Sequence, residues 1–212
     1  DVLEALNIKI NLEPNDIEGQ ININNFGFMF APNYHSAMKF VGPTRKKIGK
    51  RTIFNMIGPL SNPALVKRQV IGVFDNKLLK IFAEALNNLD IKFAWIVNSE
   101  DGLDEISPYA KTNVIQLKDN DISEIIIDPK ELNVNADNFE NLVGDDAKFN
   151  ADKMINIFKG KDNDFSKAVC LNAAAGLIVN ETHQNFADAY NDARDHILSN
   201  KVIKHLEKIQ NA

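Results

Sequence analysis

The chain has 212 residues, 44% of them hydrophobic and 25% charged, with a net charge of −5. That length allows one sizeable domain, or a domain with a small appendage, and the balance is that of a soluble globular protein. No apolar run reaches the ~20 residues that cross a bilayer. A single cysteine, Cys170, excludes an internal disulfide framework and argues for a reducing, cytoplasmic setting.

The start, Asp1-Val2-Leu3-Glu4-Ala5-Leu6, has the look of a helix interior, and neither a signal peptide nor a transit sequence. No initiator Met precedes it, so the chain is expected to be a fragment whose upstream part has been removed. Gly27-Phe28-Met29-Phe30-Ala31 is a short apolar run stopped by Pro32, which suggests a buried strand with a ligand-facing exit loop. Helical character runs from about His35 to Gly49, with a new turn beginning at Gly42-Pro43. Turn residues then surround an apolar centre in RTIFNMIGPLSNP, residues 51–63.

Arg68 to Phe74 is β-branched and short, a strand. Asp75 or Asn76 can cap the helix that follows, where Leu78, Phe82, Ala85, Leu86 and Leu89 recur at helical spacing. Lys92 to Asn98 is again a buried-type strand with Trp95 in the core, and strand–helix–strand at this spacing implies a parallel crossover. Asn113 to Leu117 and Ile122 to Ile127 flank Lys118-Asp119-Asn120-Asp121, a hairpin signal. Asp128-Pro129-Lys130-Glu131 has a cap, a first-turn proline and a glutamate in helix-start order.

The remainder is helical: a nearly all-apolar helix over Phe165–Val179, an amphipathic one marked by Phe186, Tyr190, Ala193 and Ile197, and a last short one with Val202, Leu206 and Ile209. The expected architecture is one α/β domain over residues 1–212. A central mixed, largely parallel sheet would be flanked by helices. Cys170, set among alanines and aliphatics, fits a small buried residue and not a nucleophile. His183, His196 and His205 show no metal-ligand spacing and fit solvated surface.

Charge is distributed unevenly. From Gly19 to Phe74 there is no Asp or Glu, while Lys39, Arg45, Lys46, Lys47, Lys50, Arg51, Lys67 and Arg68 all fall within that stretch. Excluding carboxylates is what an anion-binding surface requires. Within it, Pro32, His35 and Arg45 suit a flat anionic ligand: the guanidinium can grip a carboxylate through two parallel hydrogen bonds, and the imidazole can pack on a ring. Taken singly, His35 better suits a loop hydrogen bond and Arg45 a solvated helix charge. Asp104 and Glu105 follow a buried strand, where open α/β sheets place ligand loops, and paired hard oxygens are what Mg²⁺ takes. An exposed acidic loop is the alternative. No glycine-rich phosphate loop is present.

Taken together, FAPNYH, PTRKKIG, RTIFNMIGPLSNP, EDGLDEIS and LNAAAGLIV, in that order, resemble the anthranilate phosphoribosyltransferase family along essentially the whole chain. The resemblance implies the nucleoside phosphorylase/phosphoribosyltransferase-like α/β catalytic domain, without the family's N-terminal helical domain, which forms its homodimer contact. It implies transfer of phosphoribosyl from phosphoribosyl pyrophosphate to anthranilate with release of pyrophosphate, in tryptophan biosynthesis, with Mg²⁺ present. By position, Arg45 matches the arginine that holds the anthranilate carboxylate, Pro32 and His35 the loop lining its entry, and Asp104 and Glu105 the metal-binding pair. The family's GTGGD and KHGN segments do not occur here, so the isolated chain is expected to be inactive. Two rivals share the fold: a pyrimidine nucleoside phosphorylase, and a nucleic-acid-binding relative using Arg45 to Arg51. A pI of 5.4 and the acidic pair argue against the second.

Overall fold

The computed structural model describes residues 1–35, 40, 42, 47–50 and 52–211. They fall into two compact units, one of Asp1–Leu65, Asp145–Ile155 and Val202–Ala212, the other of Val66–Gly144 and Asn156–Lys201.

The first unit is helical. Its elements are α1 (Val2–Ala5), α2 (Pro14–Asn24), α3 (Ala31–Tyr34), a 3-10 turn at Ile53–Asn55, the start of α5 (Ala147–Phe158) and nearly all of α8 (Lys201–Gln210). Asp1 caps α1 by accepting from the Val2 N–H at 2.7 Å. Pro14 opens α2 where no N–H is needed, and Asn25 closes it in the left-handed conformation, φ 52°. Leu6, Ile8, Ile10, Ile17 and Leu206 are buried, and the Gln210 amide donates to the Leu6 carbonyl at 2.6 Å, tying α8 to the end of α1.

The strand expected at 27–31 does not form. Those residues are extended or irregular up to Phe30, and Pro32 begins a helical turn instead of stopping a strand. Two physical reasons apply. No neighbouring strand in the described residues offers a ladder, and Gly27 is pressed onto α2 so closely that a Cβ there would lie 2.7 Å from Ile21 and 2.9 Å from Ile17. Phe28 and Phe30 are stacked on each other, with ring centroids 6.4 Å apart.

The second unit carries the sheet, β1 (Arg68–Gly72), β2 (Phe93–Ser99), β3 (Thr112–Lys118) and β4 (Asp121–Ile127), in that spatial order. β1 and β2 are parallel, with Val70 opposite Trp95, and are joined through α4 (Leu78–Asn88). β2–β3 and β3–β4 are antiparallel. The sheet is therefore mixed, as expected, but its parallel part among the described residues is one pair. Only the β1–β2 connection contains a helix, whereas Asp119 and Asn120, φ 48° and 70°, make a two-residue turn that can only reverse the chain.

Every residue of β2 is buried, which explains its unbroken apolar run. α4 packs on β2 and β3; α6 (Asp164–Val179) packs on β1 and β2, and α7 (Phe186–Leu198) lies along α6. The alanines of α6, with Ala168, Ala174 and Ala175 buried, let that helix approach closely. Trp95 is core, its indole N–H donating to Gln116 at 3.0 Å and its ring 5.6 Å from that of Phe186. Burial pushes the Cys170 thiol up to about 11, which keeps it an inert packing group.

One carboxylate organises the start of α6. Asn163 and Ser166 form a reciprocal capping box, and the side chain of Asp164 is turned inward. It accepts from Asn141 at 2.8 Å, Lys167 at 2.9 Å, the Asp137 N–H at 3.0 Å, Tyr109 at 3.1 Å and the Asn138 N–H at 3.3 Å. Burial by itself pushes this carboxyl up, but the hydrogen bonds from Asn141, Lys167 and the two N–H groups outweigh it and hold it well below the usual carboxylate range.

A depressed folded-state pKa contributes stability that is present above the ordinary aspartate value of 3.8 and is lost as pH falls below it. Asp164→Asn is expected to cost about 2–3 kcal/mol at pH 7, since a buried charged acceptor loses several donors. Urea unfolding across pH checks this: the gap between variant and parent narrows as pH drops below 3.8.

Candidate functional site

The segment between β2 and β3 carries the acidic pair, and its path is set by buried polar contacts. Gly102, φ 93°, turns the chain so that its N–H meets the Ser99 carbonyl at 3.0 Å and the Ser99 N–H meets the Leu103 carbonyl at 2.9 Å. Asp101 accepts from the Leu103 N–H at 3.3 Å and from the Ser107 hydroxyl. Ser107, fully buried, in turn accepts from the N–H groups of Tyr109 at 3.0 Å and Ala110 at 3.3 Å, and its own N–H donates to Thr112 at 3.2 Å. The loop from 101 to 107 is thereby closed on itself with Asp104 and Glu105 at its outer rim.

Two further contacts fix the rim against the rest of the unit. The Asp104 carbonyl oxygen lies only 1.6 Å from where a Cβ on Gly72 would stand, so the last residue of β1 can be nothing larger than glycine while the loop keeps this path. On the other side of Glu105, the Ile106 side chain is fully buried and its main chain is bonded in both directions to the Asn172 amide of α6, at 2.9 and 3.0 Å.

The side chains of Asp104 and Glu105 themselves remain exposed. No ion pair joins either to a cation among the described residues. Loss of solvation, and then the adjacent Asp104 charge, push the Glu105 carboxyl up. With the charged form of Glu105 disfavoured and no ion pair to a cation among the described residues, the two carboxylates fit a small hard cation that would supply the missing charge. No group of three or more His, Cys, Asp or Glu converges on a common point among the described residues. The donor set that the described residues offer is thus two carboxylates.

Pro32 and His35 lie together at α3. Pro32 is exposed in the first turn, and His35, half-buried, closes the helix with its N–H on the Ala31 carbonyl at 3.0 Å. Arg45 lies outside the described residues. The three C-terminal histidines differ from one another: His196 is exposed as expected, but His205 and His183 are half-buried. The Nε2 of His183 faces Asp192 at 3.5 Å.

Gly72 and Asn172 were missed by sequence reasoning as parts of this site, while Asp101 and Ser107, within the acidic loop, were given no role of their own. A glycine inside an otherwise β-branched strand was the available signal for the first; an asparagine in the middle of an alanine-rich helix was the signal for Asn172. Gly72→Ala is expected to cost about 3 kcal/mol, because the clash is with main chain and not with a flexible side chain. Denaturant unfolding measures the loss, and amide chemical shifts of Leu103 to Ser107 should move more than those of β3 and β4.

Comparison with known proteins agrees with this architecture. The model of the glycosyl transferase family, a/b domain, matches residues 1–202. The chain is 80% identical over 211 residues to the anthranilate phosphoribosyltransferase of Pelagibacter ubique (strain HTCC1062), an alignment covering 100% of this chain and 64% of that one. The crystal structure of anthranilate phosphoribosyltransferase (TrpD) from Thermus thermophilus superposes with a TM-score of 0.90 at 30% identity, covering 100% of this chain and 64% of that chain. The Saccharomyces cerevisiae anthranilate phosphoribosyltransferase in complex with PRPP and Mg has the same fold, with a TM-score of 0.90 at 24% identity, over 99% of this chain and 61% of its own. The chain spans less than two thirds of the length of each of these relatives. Matched over nearly its whole length by that family's model, the chain belongs to the glycosyl transferase family, as a piece of its α/β domain.

Proposed function

We propose that the full-length protein carrying this sequence is an anthranilate phosphoribosyltransferase, joining the phosphoribosyl group of phosphoribosyl pyrophosphate to the anthranilate amine with release of pyrophosphate, in tryptophan biosynthesis. The observation that carries the proposal is the 80% identity to the Pelagibacter enzyme across the whole chain. The Thermus structure, at 30% identity, supports the same assignment. The setting proposed is cytoplasmic, on the single reduced cysteine; among the described residues no helix is long and apolar enough to cross a membrane.

In this reading Asp104 and Glu105 hold Mg²⁺, in keeping with the metal in the yeast complex. Held by these two residues, Mg²⁺ would supply positive charge against the departing pyrophosphate. The chain's own contribution is positioning. Arg45 pairs with the anthranilate carboxylate through its planar guanidinium, which fixes the ring in plane and aims the amine. Pro32 and His35 line the approach of the ring, and the carboxylate-free stretch around them keeps like charge away from an anionic substrate. The amine attacks in its neutral form, so no side chain is required as a base. The isolated 212-residue chain is proposed to be inactive, since the GTGGD and KHGN segments of the family do not occur in it. The homodimer is proposed to form through the family's N-terminal domain.

An assay of anthranilate consumption with the full-length protein tests the assignment. Activity should require Mg²⁺ and should be absent with thymidine and phosphate. Arg45→Ala is expected to raise the KM for anthranilate by about tenfold or more, the loss of a charge-assisted bidentate contact, with little change in the KM for phosphoribosyl pyrophosphate. An unchanged anthranilate KM would remove Arg45 from the site.

Glu105 supplies a test that needs no turnover. A carboxyl raised in the folded state lends stability below the ordinary glutamate value of 4.5 and loses it as pH rises through the folded-state value. Without divalent metal, Glu105→Gln should therefore be more stable than the parent at pH 7, and the difference should vanish below pH 4.5. Adding Mg²⁺ should stabilise the parent and leave the variant nearly unmoved.

A further inference from the structure

We infer that Asn172 is a positioning residue for the metal-binding pair: its side-chain amide, reaching out of the middle of α6, locks the main chain beside Glu105 and so sets where the two carboxylates point. The inference rests on the proposed metal-binding role of Asp104 and Glu105.

All three hydrogen-bonding directions of this amide that matter are taken. Its Oδ1 accepts from the Ile106 N–H at 2.9 Å, and its Nδ2 donates to the Ile106 carbonyl at 3.0 Å and to the Ala168 carbonyl at 2.9 Å. Turning the amide over would set its oxygen against two carbonyl oxygens, so only one orientation is consistent. The third bond anchors the amide to its own helix, so that Ile106 is referred directly to the axis of α6. That helix is itself fixed at its start by the capping box and by Asp164.

The location is what makes the contact functional. Ile106 follows Glu105 directly, while the Asp104 carbonyl preceding Glu105 is wedged against Gly72. The peptide groups on both sides of Glu105 are therefore immobilised by different elements, β1 and α6. A repelling pair of exposed carboxylates would otherwise splay apart, and each would have to be re-ordered when a cation binds. Asparagine is also a poor choice for a helix interior on propensity alone, and in LNAAAGLIV it replaces a residue that could have been another alanine. Outer groups that orient metal ligands in this way typically contribute about 10–100-fold to metal affinity.

The test uses the full-length protein and Mn²⁺ as the probe, with bound metal read by electron paramagnetic resonance. Two variants are compared with the parent. Asn172→Ala removes all three bonds. Asn172→Asp keeps an acceptor for the Ile106 N–H, removes both donors and adds a negative charge, so it stays informative should the alanine variant fail to fold. On charge alone the aspartate would tighten cation binding; a loss of affinity there can come only from the displaced main chain. Both variants, at a temperature where circular dichroism shows them folded, should bind Mn²⁺ about tenfold or more weakly. The Mg²⁺ concentration for half-maximal activity should rise likewise, with kcat largely recovered at saturating metal. A folded Asn172→Asp that binds Mn²⁺ as tightly as the parent, or more tightly, overturns the inference. Asp104→Asn and Glu105→Gln separate the two levels of the argument. If the parent binds Mn²⁺ and these two variants bind it equally well, the acidic-pair reading fails and the inference with it; if they lose Mn²⁺ while folded Asn172 variants retain it, the inference alone fails.

Discussion

The close approach of the Asp104 carbonyl to Gly72 is the constraint on which the site depends. Side by side in sequence, two carboxylates have no tendency to stay at a chosen separation; repulsion and solvation both favour spreading them. The fold does not counter this by placing a cation of its own beside them among the described residues. It holds the main chain instead. A missing side chain on β1 admits the carbonyl before Glu105, and a buried isoleucine with both polar groups bonded to Asn172 holds the residue after it. The contacts are short-range and neutral, so salt does not screen them.

The rest of the second unit serves that placement. Full burial of β2 fixes the point at which the loop leaves the sheet, and the parallel pairing with β1 brings Gly72 level with Val97, one residue before the buried Asn98. Asn98 then donates to the Val73 carbonyl at 2.8 Å, which holds the exit of β1 beside the exit of β2. Asp164 does the corresponding work at the other end, joining Tyr109 near the end of the loop to the start of α6. Sheet register and helix start thus converge on a single stretch, 101–109.

Much of this was legible in the sequence because it is periodic. Phe82, Ala85 and Leu86 announced α4, the unbroken run at 93–97 announced a strand buried on both faces, and Asp119-Asn120 announced a reversal. Each of those signals arises from a pattern repeated over several residues, and pattern is what burial imposes. The errors fall where one long-range contact decides. At 27–31 the apolar run implied a strand, but a strand needs a partner, and the contact of Gly27 with α2 belongs to no local pattern. Gly72 looked like one more strand residue because the atom it makes room for is 32 positions away. Asn172 was hidden among alanines for the same reason. His183 appeared solvated since nothing near it in sequence foretold Asp192. Asp104 and Glu105 were visible by residue type, and the loop geometry adds how they are held.

The charge pattern acquires a sharper meaning once the two units are separated. Most of the carboxylate-free stretch, up to Leu65, belongs to the first unit, whereas Asp104 and Glu105 belong to the second. The positive and the acidic features of the sequence thus fall in different folding units. Within the second unit, two adjacent carboxylates carry an electrostatic cost. The cost falls on Glu105, whose carboxyl is raised because part of its solvation and its neighbour's charge both oppose ionisation. That cost is confined to side chains on a rim, while the main chain beneath is fully bonded. The electrostatic load on the pair is therefore separate from the hydrogen bonds that set the path of the loop.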